Sequence, residues 1–263
     1  MDLTLGFNKF VSLEDLDNPK NVRAYLSDEC DYEYVEQLYE EHEDSEENEK
    51  PFYIFNVTIQ NHGGYDNSNG IVDAGIELTN PSLQIHALNN YLNLVKLSDD
   101  ALKGLVDYFQ NVDEPSVIVF VGDHQPNLVT SVLDTIYEIS NTQDLDEKEK
   151  NLNKYAVPFL IWANYDIPSK EGEVISLNYL SSYVQQAIGG KMTGFNKYLL
   201  DLHETLPAIS GRVLLDKAGN CYSLDEKTPY DDIIEEYQMI QYNGFVDRKN
   251  RLNDFFYLNN SAD

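Results

Sequence analysis

Apolar and polar residues follow two rhythms along this chain. Short unbroken apolar runs stop at polar or glycine residues, and longer stretches repeat every three to four positions. The first rhythm suits strands covered on both faces and the second suits amphipathic helices. Three runs read as strands: Phe52 to Ile59, Val117 to Val121, and Val157 to Ala163, where Pro158 marks strand entry or an edge. Between the first two, Leu83 to Phe109 carries Leu88, Tyr91, Leu92, Val95, Ala101, Leu102, Leu105, Val106 and Phe109 at helical spacing. Strand, long helix, strand makes a βαβ unit, and with it an α/β fold: a mostly parallel sheet flanked by helices.

Local signals fill in the rest. Ser27-Asp28 reads as a helix start with acids in the first turn, and that helix buries Tyr34, Val35, Leu38 and Tyr39. Asp15 to Tyr25 is polar and turn-like. Glu40 to Lys50 is a solvated acidic stretch. Residues 66–81, rich in Gly, Asn and Asp, read as a flexible flap. Asn127 to Asn153 is helix or loop with an acidic end. Helices are expected from Ser176 to Ile188, stopped by Gly189-Gly190, from Asn196 to Leu206, and from Tyr230 to Tyr242. Val213 to Asp216 and Cys221 to Leu224 pair as a hairpin across Gly219-Asn220. Trp162 reads as core, His203 as a surface residue without a role, and Asn259 to Asp263 as a loose tail.

Two strand ends carry chemistry. Gly122-Asp123-His124-Gln125-Pro126 follows the second run, and Gln60-Asn61-His62-Gly63-Gly64 follows the first. Open α/β sheets place their ligands at the carboxyl ends of strands. In a parallel sheet His62 and His124 then share one edge and face one cleft. Asp123 beside His124 offers a divalent ion one hard oxygen and one nitrogen. The plainer reading of that pair is a turn whose aspartate caps the next helix.

Charge and composition narrow the function. The chain of 263 residues has a net charge of -28 and is 42% hydrophobic, a globular composition with a strongly acidic balance. Such a surface repels nucleic acid and anionic membranes. Cys30 and Cys221 are too few for a disulfide framework or a zinc-thiolate site. Met1-Asp2-Leu3-Thr4 has no basic or apolar leader character, and no apolar run approaches the roughly 20 residues of a membrane span. The chain therefore reads as lacking its own signal peptide and transmembrane helix.

At this point the residues resemble a known family. Asn56-Val57-Thr58-Ile59-Gln60-Asn61-His62-Gly63-Gly64-Tyr65 and Val119-Phe120-Val121-Gly122-Asp123-His124-Gln125-Pro126 resemble signatures of the lipoteichoic acid synthase group, within the sulfatase and alkaline phosphatase superfamily. Pro158 to Tyr165, Ser176 to Leu180 and Tyr237 to Asn243 resemble later segments of the same group, in order. The resemblance implies an alkaline phosphatase/sulfatase-like α/β fold with a small C-terminal α+β portion. It also implies a two-step phosphotransferase, in which a metal-activated threonine attacks a lipid-linked or polymeric phosphodiester. By similarity Asp123 and His124 are metal ligands, Mn²⁺ most of all with Mg²⁺ or Zn²⁺ as alternatives, and His62 contacts the phosphate-bearing group.

The same resemblance implies parts not found here. The nucleophilic threonine and a further acidic ligand belong to the first half of such a domain and are expected upstream of Met1. Thr4, Thr58 and Thr79 stand in other contexts. The chain thus reads as a single partial catalytic domain over 1–263, incomplete at its N-terminal side. It has an acidic lead-in (1–50), a βαβ core with the metal motifs (51–165) and a C-terminal portion (166–263). Three readings follow. One is a piece of a membrane-anchored phosphoglycerol or phosphoethanolamine transferase working on the extracellular face. Another is a non-catalytic binding remnant of the fold. The third is one half of an enzyme completed by a separate N-terminal chain, as a transferase or as a sulfatase- or phosphodiesterase-type hydrolase.

Overall fold

The computed structural model describes residues 6–66, 70–139 and 146–258. The tail expected at Asn259 to Asp263, and Thr4, lie outside them. The chain divides into two compact units: Met1–Ser116 with Pro126–Gln143, and Val117–Gln125 with Asp144–Asp263.

In the first unit, β1 (Asn21–Val22) and β2 (Tyr25–Leu26) form a small antiparallel hairpin. The polar stretch before Tyr25 hid this hairpin, because Arg23 takes a left-handed conformation (φ 56) that glycine usually supplies. Helix α1 (Asp28–Glu43) starts at Ser27, whose side chain accepts from the Cys30 amide at 3.2 Å. Val35 and Tyr39 are buried as expected, and Tyr32 is buried as well, whereas Tyr34 and Leu38 are only half-buried. Helix α2 (His86–Phe109) packs on α1, with Tyr39 edge-on to the rings of Tyr108 and Phe109. Its other side builds a core of Tyr65, Leu88, Leu94, Leu128 and Val132, the last of these on α3 (Thr130–Ile139).

Residues 70–76 are fastened, contrary to the flexible flap expected over 66–81. Asn90 and Asn93, both fully buried on α2, hold that backbone. Asn90 Oδ1 accepts from the Val72 amide, and its Nδ2 donates to the carbonyls of Tyr65 and Gly70. Asn93 Oδ1 accepts from the amides of Ala74 and Ile76, and its Nδ2 donates to the Ile76 carbonyl. A loop rich in turn residues has few apolar anchors, so two amide side chains take over the backbone pairing.

The run Phe52 to Ile59 joins no ladder among the described residues. Tyr53, Phe55 and Val57 are 72%, 68% and 69% exposed, so the buried strand expected there is not formed. Apolar content alone does not make a strand; a ladder partner must satisfy the backbone.

In the second unit, β3 (Val117–Val121) pairs with β4 (Phe159–Ala163) in antiparallel register, Val119 opposite Ile161. The ladders among the described residues are all antiparallel, so the parallel pairing expected for the Val117–Val121 run is replaced by this hairpin-like pair. Val119 and Val121 remain more than a third exposed, and Trp162 is half-buried, where full burial was expected. The acidic stretch before β4 forms α4 (Glu147–Lys154), capped by Asp146.

The core of this unit lies further along. Helices α5 (Leu177–Ala187), α6 (Gly194–His203) and α7 (Asp231–Phe245) bury Tyr179, Leu199, Leu202 and Tyr237. Gly189 and Gly190 end α5 as expected: their amides bond back to the carbonyls of Gln186 and Gln185, with Gly189 at φ 68. A three-stranded antiparallel sheet of β5 (Ala208–Ile209), β6 (Val213–Leu215) and β7 (Cys221–Ser223) contributes Leu214 to the same core. The hairpin across Gly219-Asn220 is formed, and β5 is an addition to it. The short helix α8 (Asn253–Phe256) packs on α6. Among the described residues no helix is long and apolar enough to cross a membrane.

Candidate functional site

The second unit positions Asp123 and His124 directly after β3. The Gly122 amide continues the pairing with β4 by donating to the Pro158 carbonyl at 3.0 Å. Gly122 is not in the left-handed region. Its role is close approach: a Cβ there would lie 3.1 Å from Val157 Cβ and 3.4 Å from Pro158 Cδ. Gln125 ties the other side of the turn by donating from Nε2 to the Ala156 carbonyl. The turn is therefore held at both ends while its two chemical side chains stay in solvent, with Asp123 84% and His124 68% exposed.

These two side chains face each other. Asp123 Oδ1 accepts from the His124 amide at 2.8 Å, and Oδ2 lies 3.4 Å from His124 Nε2. The other ring nitrogen, Nδ1, is 2.8 Å from the Gln125 carbonyl. A carbonyl only accepts, so in the neutral ring this contact places the proton on Nδ1 and leaves Nε2 as an acceptor near a second acceptor, Asp123 Oδ2. Donors each about 2.1 Å from a shared ion stand about 3.0 to 3.4 Å apart, and Asp123 Oδ2 and His124 Nε2 are 3.4 Å apart. A carbonyl behind the imidazole is also how metal-bound histidines are held. Among the described residues no group of three or more His, Cys, Asp and Glu side chains is arranged to hold an ion. A cavity of about 130 Å³ lined by Lys170, Glu173, Tyr183 and His203 in the same unit includes neither Asp123 nor His124. His203, given no role from sequence, is half-buried, with Nε2 3.0 Å from the Val174 carbonyl.

His62 belongs to the first unit and is exposed there. Its turn is gripped by Arg23, which sequence reasoning missed. Arg23 Nη2 lies 3.0 Å from the Gln60 carbonyl and 2.8 Å from that of His62, and Nη1 is 3.0 Å from that of Gly64. Tyr25 Oη is 3.1 Å from His62 Nδ1. The residues before His62 are anchored below. Gln60, 2% exposed, accepts from the Asp28 amide and donates to Ser98 Oγ, and Asn61 Nδ2 donates to the same hydroxyl. Ser98 in turn donates to Asp28, whose carboxyl is raised above its usual range by burial. The sequence signal for this network was present as Ser27-Asp28 and the polar Gln60-Asn61, but its partner Ser98 is one serine on a long helix.

The Sulfatase family model matches residues 2–190. The chain belongs to the Sulfatase family. Among members and relatives, a putative cyclic β-1,2-glucan modification protein of Rhizobium meliloti (strain 1021) is 28% identical over 217 residues, covering 81% of this chain and 33% of that protein. The capsular polysaccharide biosynthesis protein RkpI of the same organism is 34% identical over 125 residues, covering 47% of this chain and 20% of its own length. This Sulfatase-family chain thus spans a third or less of both relatives. Its fold matches the structure of Streptococcus pyogenes phosphoglycerol transferase GacH in complex with sn-glycerol-1-phosphate, with TM-score 0.62 and 22% identity, over 91% of this chain and 55% of that one. The α/β sulfatase-like class expected from the motifs therefore holds, as a partial match to a longer chain.

Proposed function

We propose that this chain carries the ion-binding and phosphate-contacting part of a phosphotransferase that modifies a cell-envelope polysaccharide at the extracellular face of the membrane. Family membership and the names of its relatives, in glucan modification, capsule biosynthesis and phosphoglycerol transfer, support this reading. The observation that carries it is the pair of facing acceptors, Asp123 Oδ2 and His124 Nε2, 3.4 Å apart. Asp123 and His124 would hold a divalent ion, Mn²⁺ by preference and Mg²⁺ or Zn²⁺ as alternatives. When bound, such an ion lowers a nucleophile's pKa and offsets charge on phosphoryl oxygens.

The chain's own residues then have separate tasks. The Gln125 carbonyl keeps His124 in the tautomer that leaves Nε2 free to coordinate. His62 donates a hydrogen bond to an anionic oxygen of a lipid-linked or polymeric phosphodiester. The nucleophilic threonine and the remaining ligands that the family resemblance implies are not assigned to any described residue.

Calorimetric titration with Mn²⁺ tests the reading. Binding in the micromolar range in wild type, lost in Asp123→Asn and in His124→Ala, is the expected result. Equal weak binding by all three proteins, as a surface of charge -28 gives without a site, would overturn it.

A further inference from the structure

The phosphate-contact role proposed for His62 leaves open which ring nitrogen meets the substrate and what sets it. An imidazole bonds to a phosphate oxygen as a neutral donor only through a nitrogen that carries hydrogen. In the wrong tautomer the same nitrogen presents a lone pair and repels the anion.

The hairpin β1–β2 sets both the ring and its backbone. Arg23 sits at the hairpin turn in the left-handed region, φ 56, and that conformation sends its guanidinium across to the Gln60, His62 and Gly64 carbonyls. Alternate carbonyls of one turn are thereby fixed on both sides of His62. All three partners are neutral acceptors, and Arg23 forms no ion pair within 4.0 Å with a described carboxylate. The guanidinium lies 5.6 Å from the Tyr25 ring centroid and 5.8 Å from that of Tyr65. A cation over the Tyr25 ring draws electron density from the phenol and strengthens its O–H as a donor. That hydroxyl is 3.1 Å from His62 Nδ1, with the two rings 5.4 Å apart.

We propose that Tyr25 and Arg23 are positioning residues for His62: the Tyr25 hydroxyl donates to Nδ1, which fixes the Nε2–H tautomer as the outward donor to a phosphate oxygen, while Arg23 holds the turn. This rests on the reading of His62 given above, and extends it to residues that touch no substrate. The hairpin is then part of the site machinery, and the left-handed arginine is placed for that task.

Side-chain ¹⁵N correlation spectra of the full chain test it, with sn-glycerol-1-phosphate as the probe. In wild type the His62 ring gives the Nε2–H pattern at neutral pH, and millimolar probe shifts the Nε2 resonance. Tyr25→Phe keeps the ring packing and moves His62 to a mixture of tautomers, with about five- to tenfold weaker probe binding. Arg23→Lys keeps the charge but not the three-way grip, and broadens the His62 and Gly64 amides. An Nδ1–H pattern in wild type, or an unchanged tautomer in Tyr25→Phe, overturns the proposal. If Tyr25→Phe does not fold, the wild-type tautomer alone decides. If the tautomer behaves as expected but the probe never shifts His62, the positioning holds and the phosphate-contact role falls.

Discussion

Tyr230 Oη donates to Asp216 Oδ2 at 3.1 Å, joining the residue that precedes α7 to the turn of the β6–β7 hairpin. Asp216 is 5% exposed, yet it accepts from several other donors as well: the Ala218 and Asn220 amides, Asn220 Nδ2 and Tyr222 Oη. The Asn220 side chain leads in lowering its carboxyl from 3.8 to about 2, aided by the Asn220 amide, Tyr230 and Tyr222. A depressed acid contributes stability that is complete above its unfolded value and lost as pH falls through its folded value. Amide exchange in β6 and β7 is therefore expected to accelerate as pH drops from 3.8 toward 2, after correction for intrinsic exchange. Asp216→Asn removes that dependence and loosens the hairpin at neutral pH. An unchanged pH profile in the variant would count against the assignment.

Asp28 has the opposite sign. Burial raises its carboxyl, and this outweighs the bonds from Ser98 and from Gln60's neighbourhood that lower it. Between its ordinary 3.8 and the raised folded value, the native state binds more protons than the unfolded one. Stability from this group therefore falls as pH climbs through that window. Urea midpoints read at the start of α1 are expected to decline from about pH 4 upward. Asp28→Asn removes the decline, because a neutral amide has no charge to desolvate. A midpoint that rises in this window in wild type, and no longer does so in Asp28→Asn, would refute the sign.

Asn93 is the tightest of the buried amides, at 0% exposed. Asn93→Ala leaves the Ala74 and Ile76 amides and the Ile76 carbonyl without their partner. Unmatched buried backbone groups cost about 1–3 kcal/mol each before relaxation, so a net loss of about 3 kcal/mol is expected by denaturant unfolding. Protection of the Val72, Ala74 and Ile76 amides is lost together, since Asn90 and Asn93 hold one continuous segment. A loss below about 0.5 kcal/mol would mean water replaces the side chain without cost.

The helices were legible because their signals are local. Ser27, Gly189 and the spacing over α2 each act within a turn or two of the chain, and all three are realised. The hairpin across Gly219-Asn220 was legible for the same reason. Strand pairing was not, because a ladder depends on what lies opposite. Phe52 to Ile59 has strand composition and no described partner, and Val117 to Val121 found an antiparallel one. Asp123 and His124 were readable as residues that follow a strand, whereas His62 follows a run that joins no described ladder. Arg23, Tyr25 and Ser98 were not, since each reaches His62 or its neighbours across many residues, and nothing in a single arginine or serine announces that.

Gly122 tests whether the Asp123–His124 arrangement depends on the β3–β4 ladder. An alanine Cβ would press on Val157 at 3.1 Å and Pro158 at 3.4 Å, both on the backbone side of β4's entry rather than on a flexible tip. Either the ladder end opens or the turn shifts, at a cost of about 1–2 kcal/mol. A shift of a few tenths of an ångström at residue 122 moves the adjacent carboxylate relative to the imidazole, which the Gln125 carbonyl holds separately. Chelation by two short side chains tolerates little of that. Gly122→Ala is therefore expected to weaken Mn²⁺ binding roughly tenfold while unfolding cooperatively. Gly63→Ala is the control: its Cβ meets nothing within 4 Å, so both stability and ion binding stay near wild type. If Gly122→Ala loses stability but keeps full ion affinity, the turn adapts independently of the strands, and the ladder does not set the geometry of the pair.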